Sequence, residues 1–145
     1  MITIIQRVTE ASVTVNGNVI GQIKQGILAL VAVEKMDTIP IAERLLERIL
    51  NYRIFADTND KMNLSLRDIK GGLLLVPQFT LAANTDKGNR PSFASAAPPE
   101  FGRKMFSYLQ KYTIQNFGNV QFGEFGADMK VTLINDGPVT FTLKV

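Results

Sequence analysis

Apolar residues at the start of the chain alternate with polar ones: Ile2 and Ile4, then Val13 and Val15, then Val19 and Ile23. Period-two alternation places one face of a strand in a core and leaves the other wet. Asn16-Gly17-Asn18 interrupts the pattern with residues that tolerate positive φ, which predicts a hairpin. Ile27 to Val33 is almost continuously apolar, as expected of a strand covered on both faces. The period then lengthens. Thr38 is placed to cap a helix with Pro40 in its first turn, and Ile41, Leu45 and Ile49 recur on one face. Asp57 to Lys61 reads as a loop; Lys61 and Met62 stand where a calcium loop needs other residues, so no metal is expected there.

Gly71-Gly72 introduces a second buried strand, Leu73 to Val76, running into Pro77-Gln78-Phe79-Thr80-Leu81. After a polar stretch from Asn84 through Pro91, Pro98-Pro99-Glu100 opens another helix. Phe101, Met105, Leu109 and Tyr112 share its inner face, and Gly118 ends it. Three closing strands are predicted: Val120 to Phe125, Met129 to Ile134, and Val139 to Val145. The last two are separated by the turn signal Asn135-Asp136-Gly137-Pro138. Hairpins at both ends with helices between them predict one mixed α/β domain over residues 1–145, with a largely antiparallel sheet and two main helices.

Composition narrows the chemistry more than the class. Of 145 residues, 46% are hydrophobic and 20% charged, which is globular. No run is long enough to span a bilayer and no leader pattern opens the chain, so a cytoplasmic location is expected. The chain has no Cys and no His. Thiol nucleophiles, thiolate metal sites and imidazole bases are therefore excluded. Catalysis would have to use main-chain groups, hydroxyls, carboxylates, amines or the substrate itself. A net charge of +3 permits an anionic partner without specifying one.

Three segments are candidates for chemistry. Pro77 should end its strand, leaving N–H groups near Gln78, Phe79 and Thr80 free to face an oxyanion; the alternative is a plain strand end with a buried Phe79. Gly137-Pro138 is either an ordinary trans turn or a cis peptide presenting two carbonyls side by side. In Lys87-Gly88-Asn89-Arg90-Pro91-Ser92-Phe93, Lys87 and Arg90 suit phosphates and Phe93 suits a base, unless the segment is a solvated loop anchored by Phe93.

Taken in order, several segments resemble the D-aminoacyl-tRNA deacylase family over essentially the whole chain. They are Arg7 to Val13, Tyr52 to Phe55 with Lys61 to Asn63, Gln78 to Leu81, Gly88 to Phe93, Gly123 to Met129, and Asn135 to Thr140. The resemblance implies a metal-free, cofactor-free enzyme that hydrolyses the ester joining a D-amino acid to tRNA. It implies a homodimer formed through the sheets, acting on the aminoacylated 3′ end, with neither DNA nor a membrane as partner. Gln78, Phe79 and Thr80 would line the catalytic pocket. Gly137-Pro138, in cis, would enter from the partner subunit and exclude L side chains with its carbonyls. Glycine would also be admitted, so glycyl-tRNA mischarged on tRNA-Ala is an expected substrate.

Met129 matches a pocket wall, and Arg7 a residue that holds the Gly-Pro segment; Arg90 and Phe93, whose side chains suit a phosphate and a base, are the expected substrate contacts in the loop. The favoured mechanism is RNA-assisted, with Thr80 positioning rather than attacking, since no His or Cys is present to activate it. One departure stands out: the family motif has Ser where this chain has Pro77. Two other readings use the same residues. One is a catalytically weak RNA- or nucleotide-binding dimer disabled by Pro77. The other is a hydrolase or deaminase of small metabolites that needs no RNA.

Overall fold

A computed structural model describes residues 1–145. Eight strands and three α-helices form it: β1 (Ile2–Val15), β2 (Asn18–Ile23), β3 (Gly26–Ala32), α1 (Ile39–Asn51), β4 (Phe55–Ala56), β5 (Met62–Leu64), α2 (Leu66–Ile69), β6 (Gly72–Pro77), α3 (Pro99–Asn116), β7 (Val120–Phe122) and β8 (Lys130–Lys144). A 3-10 turn, Phe79–Ala82, follows β6. The main sheet runs β2-β1-β3-β6-β7, with β8 along the other edge of β1. β1 is antiparallel to each of its neighbours, β2, β3 and β8. The β3–β6 and β6–β7 pairs are parallel, because the chain returns through helices between those strands. The sheet is thus mixed, with its antiparallel part organised around one long strand.

The near-continuous apolar runs become β3 and β6, as their sequences predict. Ile27, Ala29, Val31, Leu73 and Leu75 face α1 and α3 in the larger core, while Leu28, Leu74 and Val76 join Val8, Val13 and Ile23 in a second one. That second core exists because the sheet curls: a side chain on Gly21 in β2 would begin 2.8 Å from the Phe122 carbonyl of β7. Helix α1 starts after Thr38 as expected, although the Thr38 side chain makes no capping bond. In α3, Met105 and Leu109 are buried and Phe101 and Tyr112 pack at the margin. Gly118 adopts φ +82° just past its end.

Gly26 sits where β3 and β6 come closest, and a Cβ there would run into the Gly72 carbonyl. Backbone cannot rotate aside as a side chain can. Gly26→Ala should therefore destabilise the fold by about 3 kcal/mol or more, read as a lower denaturation midpoint at unchanged m-value.

The expected C-terminal hairpin is absent. β8 is one strand that stays paired to β1 from Ile2↔Lys144 to Thr14↔Lys130. Between Gln6↔Thr140 and Val8↔Asn135 the register slips, so Asp136 to Val139 stand opposite Arg7 alone. Gly-Pro there makes a bulge that stands out from the strand rather than reversing it. The local signal was read correctly as a break in extended structure, but the unbroken partner strand decides the topology.

Candidate active site

Pro77 is the last residue of β6. Odd-numbered residues of β6 donate towards β7, as Leu73 does to Asn119, while Gln78 donates to Val31 of β3 at 2.8 Å. The β6–β7 ladder ends at Leu75↔Phe122. Leu75 still accepts from Gly123 N–H at 2.8 Å, and Pro77, which has no N–H to donate, ends the pairing on that side.

The chain then folds into the 3-10 turn. The Phe79 and Thr80 N–H groups lie at its open end, where the turn itself offers no acceptor. Gln78 Nε2 donates to Thr80 Oγ1 at 2.6 Å. Nothing basic is bonded to that hydroxyl. Phe79 is 56% exposed, which overturns the plain reading of a buried aromatic anchor. Its ring meets Phe93 at 5.2 Å, tilted by 55°. Phe93 is itself 41% exposed, so it seats its loop against Phe79 and not in the core. The loop is closed by paired main-chain bonds between Asn84 and Ser92, and Lys87 and Arg90 are exposed within it.

Gln78 and Phe79 form one wall of a cleft of about 260 Å³. Val31, Val33 and Pro77 floor it, and Gly102 and Phe106 of α3 face Phe125 and Gly126 around it. Gly102 keeps the cleft open: a Cβ there would lie 3.1 Å from the Phe125 ring. Met129 is adjacent. A side chain on Gly123 would meet Met129 Sδ at 2.8 Å and Pro77 Cδ at 3.2 Å, so that glycine lets the methionine approach the end of β6. No sequence pattern assigned a role to Gly102, and Phe125 and Gly126 were named only within the resembling segment Gly123 to Met129. A helix-interior glycine was the available signal, since glycine there costs about 1 kcal/mol relative to alanine and calls for a reason.

The second motif lies elsewhere. Gly137-Pro138 is cis, with Gly137 at φ +140°. Both residues are exposed on the bulge. Arg7 braces it from below, donating through Nε to the Asp136 carbonyl at 2.9 Å and through Nη1 to the Ile54 carbonyl at 2.7 Å. Asn135 closes it from the side, accepting from Val139 N–H at 2.6 Å. The Ile54 end is steadied by the β4–β5 hairpin. There Asp57 accepts bonds from Asn63 Nδ2 and from the N–H groups of Lys61 and Asn59, which hold its carboxyl below its usual range.

Arg7 is level with Ile27 and Leu73, three strands from the bulge to β6, whereas Gln78 lies beyond Pro77 at the far end. Strand spacing and rise put the two motifs roughly 20 Å apart within one chain. The structure thus groups Gln78, Phe79 and Thr80 with Phe93 and the loop that carries Arg90, leaves Met129 against the second core beside the end of β6, and separately groups Arg7 with Gly137 and Pro138. No three Asp or Glu side chains gather in a metal-holding cluster, and no helix is long and apolar enough to cross a membrane.

The cleft is apolar, the open N–H groups of a 3-10 turn stand at its lip, and the chain has neither thiol nor imidazole to place there. Similarity to known proteins is consistent along the whole chain. A family model described as D-Tyr-tRNA(Tyr) deacylase matches residues 4–144. A D-aminoacyl-tRNA deacylase of Nitrosococcus oceani is 55% identical over 145 residues, covering 100% of this chain and 94% of that protein. One from Pseudomonas fluorescens is 57% identical over 141 residues, 97% of each. Among solved structures, c-Myc DNA Unwinding Element Binding Protein superposes with a TM-score of 0.95 at 37% identity, covering 100% of this chain and 99% of that one. A structure described as a probable eukaryotic D-amino acid tRNA deacylase gives 0.84 at 17% identity, covering 99% and 98%, which bears on the fold alone. The chain belongs to the D-Tyr-tRNA(Tyr) deacylase family.

Proposed function

We propose that the protein hydrolyses the ester between a D-amino acid and the 3′ end of tRNA, releasing both. The observation that carries this reading is the full-length family match, joined to an apolar cleft with open main-chain N–H groups at its lip. Water attacks the ester carbonyl carbon, and the bond to the ribose oxygen breaks as that oxygen takes a proton. With no imidazole or thiol in the chain, the neighbouring ribose hydroxyl is the group assigned to assist the water. The open N–H groups of Phe79 and Thr80 are assigned to the developing oxyanion.

The active form in this reading is a homodimer. β8 carries an open outer edge along 15 residues, with Ile134 and Phe141 52% and 36% exposed. Such an edge invites pairing with a second copy. The separation of the two motifs supports the same arrangement: a second chain can bring Gly137-Pro138 to a cleft that its own chain cannot reach. The Gly-Pro carbonyls then occupy the space of an L side chain, while D-residues and glycine enter, including glycine mischarged on tRNA-Ala. Arg7 keeps the segment in place. Phe93, Arg90 and Met129 contact the substrate, and the role is proofreading in the cytoplasm.

The test compares D- and L-aminoacyl-tRNA carrying the same amino acid. Release from the D-ester alone supports the assignment; equal release, or none, rejects it. Nucleic-acid binding without turnover would favour the non-catalytic reading, for which the DNA-binding name of the 37%-identical structure is the relevant precedent. Thr80→Ala should retain measurable deacylation, because its hydroxyl is bonded to Gln78 and has no activating base. A loss near the roughly 10⁶-fold seen on removing a true nucleophile, or an acyl group trapped on Thr80, would overturn that assignment.

A further inference from the structure

The cleft is apolar, but a cation stands at its mouth. Arg103 projects from α3 with its guanidinium carbon 5.0 Å from the centroid of Phe125. One terminal nitrogen lies 3.4 Å from where a side chain on Gly126 would begin. Phe125 and Gly126 both line the cleft. The arginine hydrogen bonds of the chain belong to Arg7, Arg48, Arg53 and Arg67. Arg103 makes none, and neither Glu100, one turn earlier on α3, nor Glu124, beside Phe125, pairs with it within 4.0 Å. A guanidinium resting on an aromatic ring is oriented in advance, and its N–H donors remain free for a forked acceptor.

The chemistry of the substrate class identifies that acceptor. In an aminoacyl ester the α-carboxyl group is consumed in the ester bond. The amino acid therefore brings no carboxylate, and the anion nearest the reacting carbonyl is the phosphodiester on the 5′ side of the terminal nucleoside. On the opposite wall, Phe79 meets Phe93 beside the Asn84–Ser92 loop, which carries the exposed Lys87 and Arg90. We infer that Arg103 binds a backbone phosphate of the RNA 3′ end and so sets how deeply the ester enters the cleft. This rests on the RNA-ester reading above.

The experiment compares two D-esters of the same amino acid: one on tRNA, and one on adenosine, which carries no phosphate. Arg103→Ala should lower kcat/KM about tenfold on the tRNA ester, chiefly through KM, with the loss confined to the substrate that has phosphates. Arg103→Lys should recover part of it. The slope of log(kcat/KM) against log salt should shrink by about 0.7, the value for one phosphate on a single strand. Equal losses on both esters would show that Arg103 merely supports Phe125 and would overturn the assignment, as would no loss on either. If the wild type cleaves neither ester, the deacylase reading fails on its own. Anisotropy with a short single-stranded RNA then decides for Arg103: weaker binding by the alanine variant sustains a phosphate contact, and unchanged binding removes it.

Discussion

Alanine at position 137 should leave the protein folded and strip it of chiral discrimination. Gly137 has φ +140°, a region that L-residues rarely occupy. A Cβ there would also lie 2.6 Å from Val139 Cγ2 and 3.0 Å from an Arg7 terminal nitrogen. Those contacts cannot persist, so the bulge must shift or Arg7 must release it. The expected strain is about 1–3 kcal/mol, confined to an exposed segment on an edge strand, which the core should survive. In the proposed dimer the displaced carbonyls no longer fill the space an L side chain needs. Selectivity for the D-ester should fall at least tenfold, the equivalent of about 1.4 kcal/mol of lost discrimination. The check is the ratio of D- to L-ester turnover, with a thermal melt to confirm folding. Unchanged selectivity in a folded Gly137→Ala dimer would remove the bulge from the selection step.

Leucine at position 102 should have the opposite profile: selectivity becomes moot because substrate no longer enters. The Cβ would begin 3.1 and 3.4 Å from two atoms of the Phe125 ring and 4.0 Å from Ala97 Cβ, and the remaining side chain would project into a cleft of about 260 Å³. Misplacing a reacting group by about 1 Å can cost 10²-fold, and a blocked cleft should cost at least that in kcat/KM. Stability argues in the other direction, since replacing an interior helical glycine relieves about 1 kcal/mol of propensity penalty. A loss of about 10²-fold with an unchanged or raised melting temperature is the expected result. Normal kinetics would place the substrate outside the cleft.

How much of this was legible in the sequence depends on whether the signal was local. The β1–β2 hairpin was legible because Asn16 and Gly17 must take positive φ, and they do, at 49° and 79°. β3 and β6 were legible from their near-continuous apolar runs, and α1 and α3 from the helical period of their apolar residues. β8 was misread because a Gly-Pro pair has the same local signature in a hairpin and in a bulge. Only the unbroken strand β1, more than a hundred residues away in sequence, distinguishes them. The Pro77 to Thr80, Gly137-Pro138 and Lys87 to Phe93 segments were legible as candidates from their own residues, but their roles came from resemblance, since Gln78 and Thr80 have no activating histidine or cysteine to define one. Phe125 stood in a segment that resembles the family and Gly102 was a glycine inside a helix, but neither these nor Arg103 pointed to a cleft wall, because that meaning arises only when α3 packs beside the 124–126 segment.

In the proposed dimer neither chain holds a complete site: the wall comes from one copy and the bulge from another. Co-expression of two differently tagged chains tests it most directly, one carrying Gln78→Ala with Phe79→Ala and the other carrying Gly137→Ala. Each homodimer should be defective in D-specific deacylation. In the mixed dimer, one site combines both defects and the other combines an intact wall with an intact bulge. Purified mixed dimer should therefore recover D-specific turnover at about half the wild-type activity per dimer, consistent with one restored site of two. A mixed dimer no better than either parent would mean that wall and bulge act within the same chain, and would contradict the account.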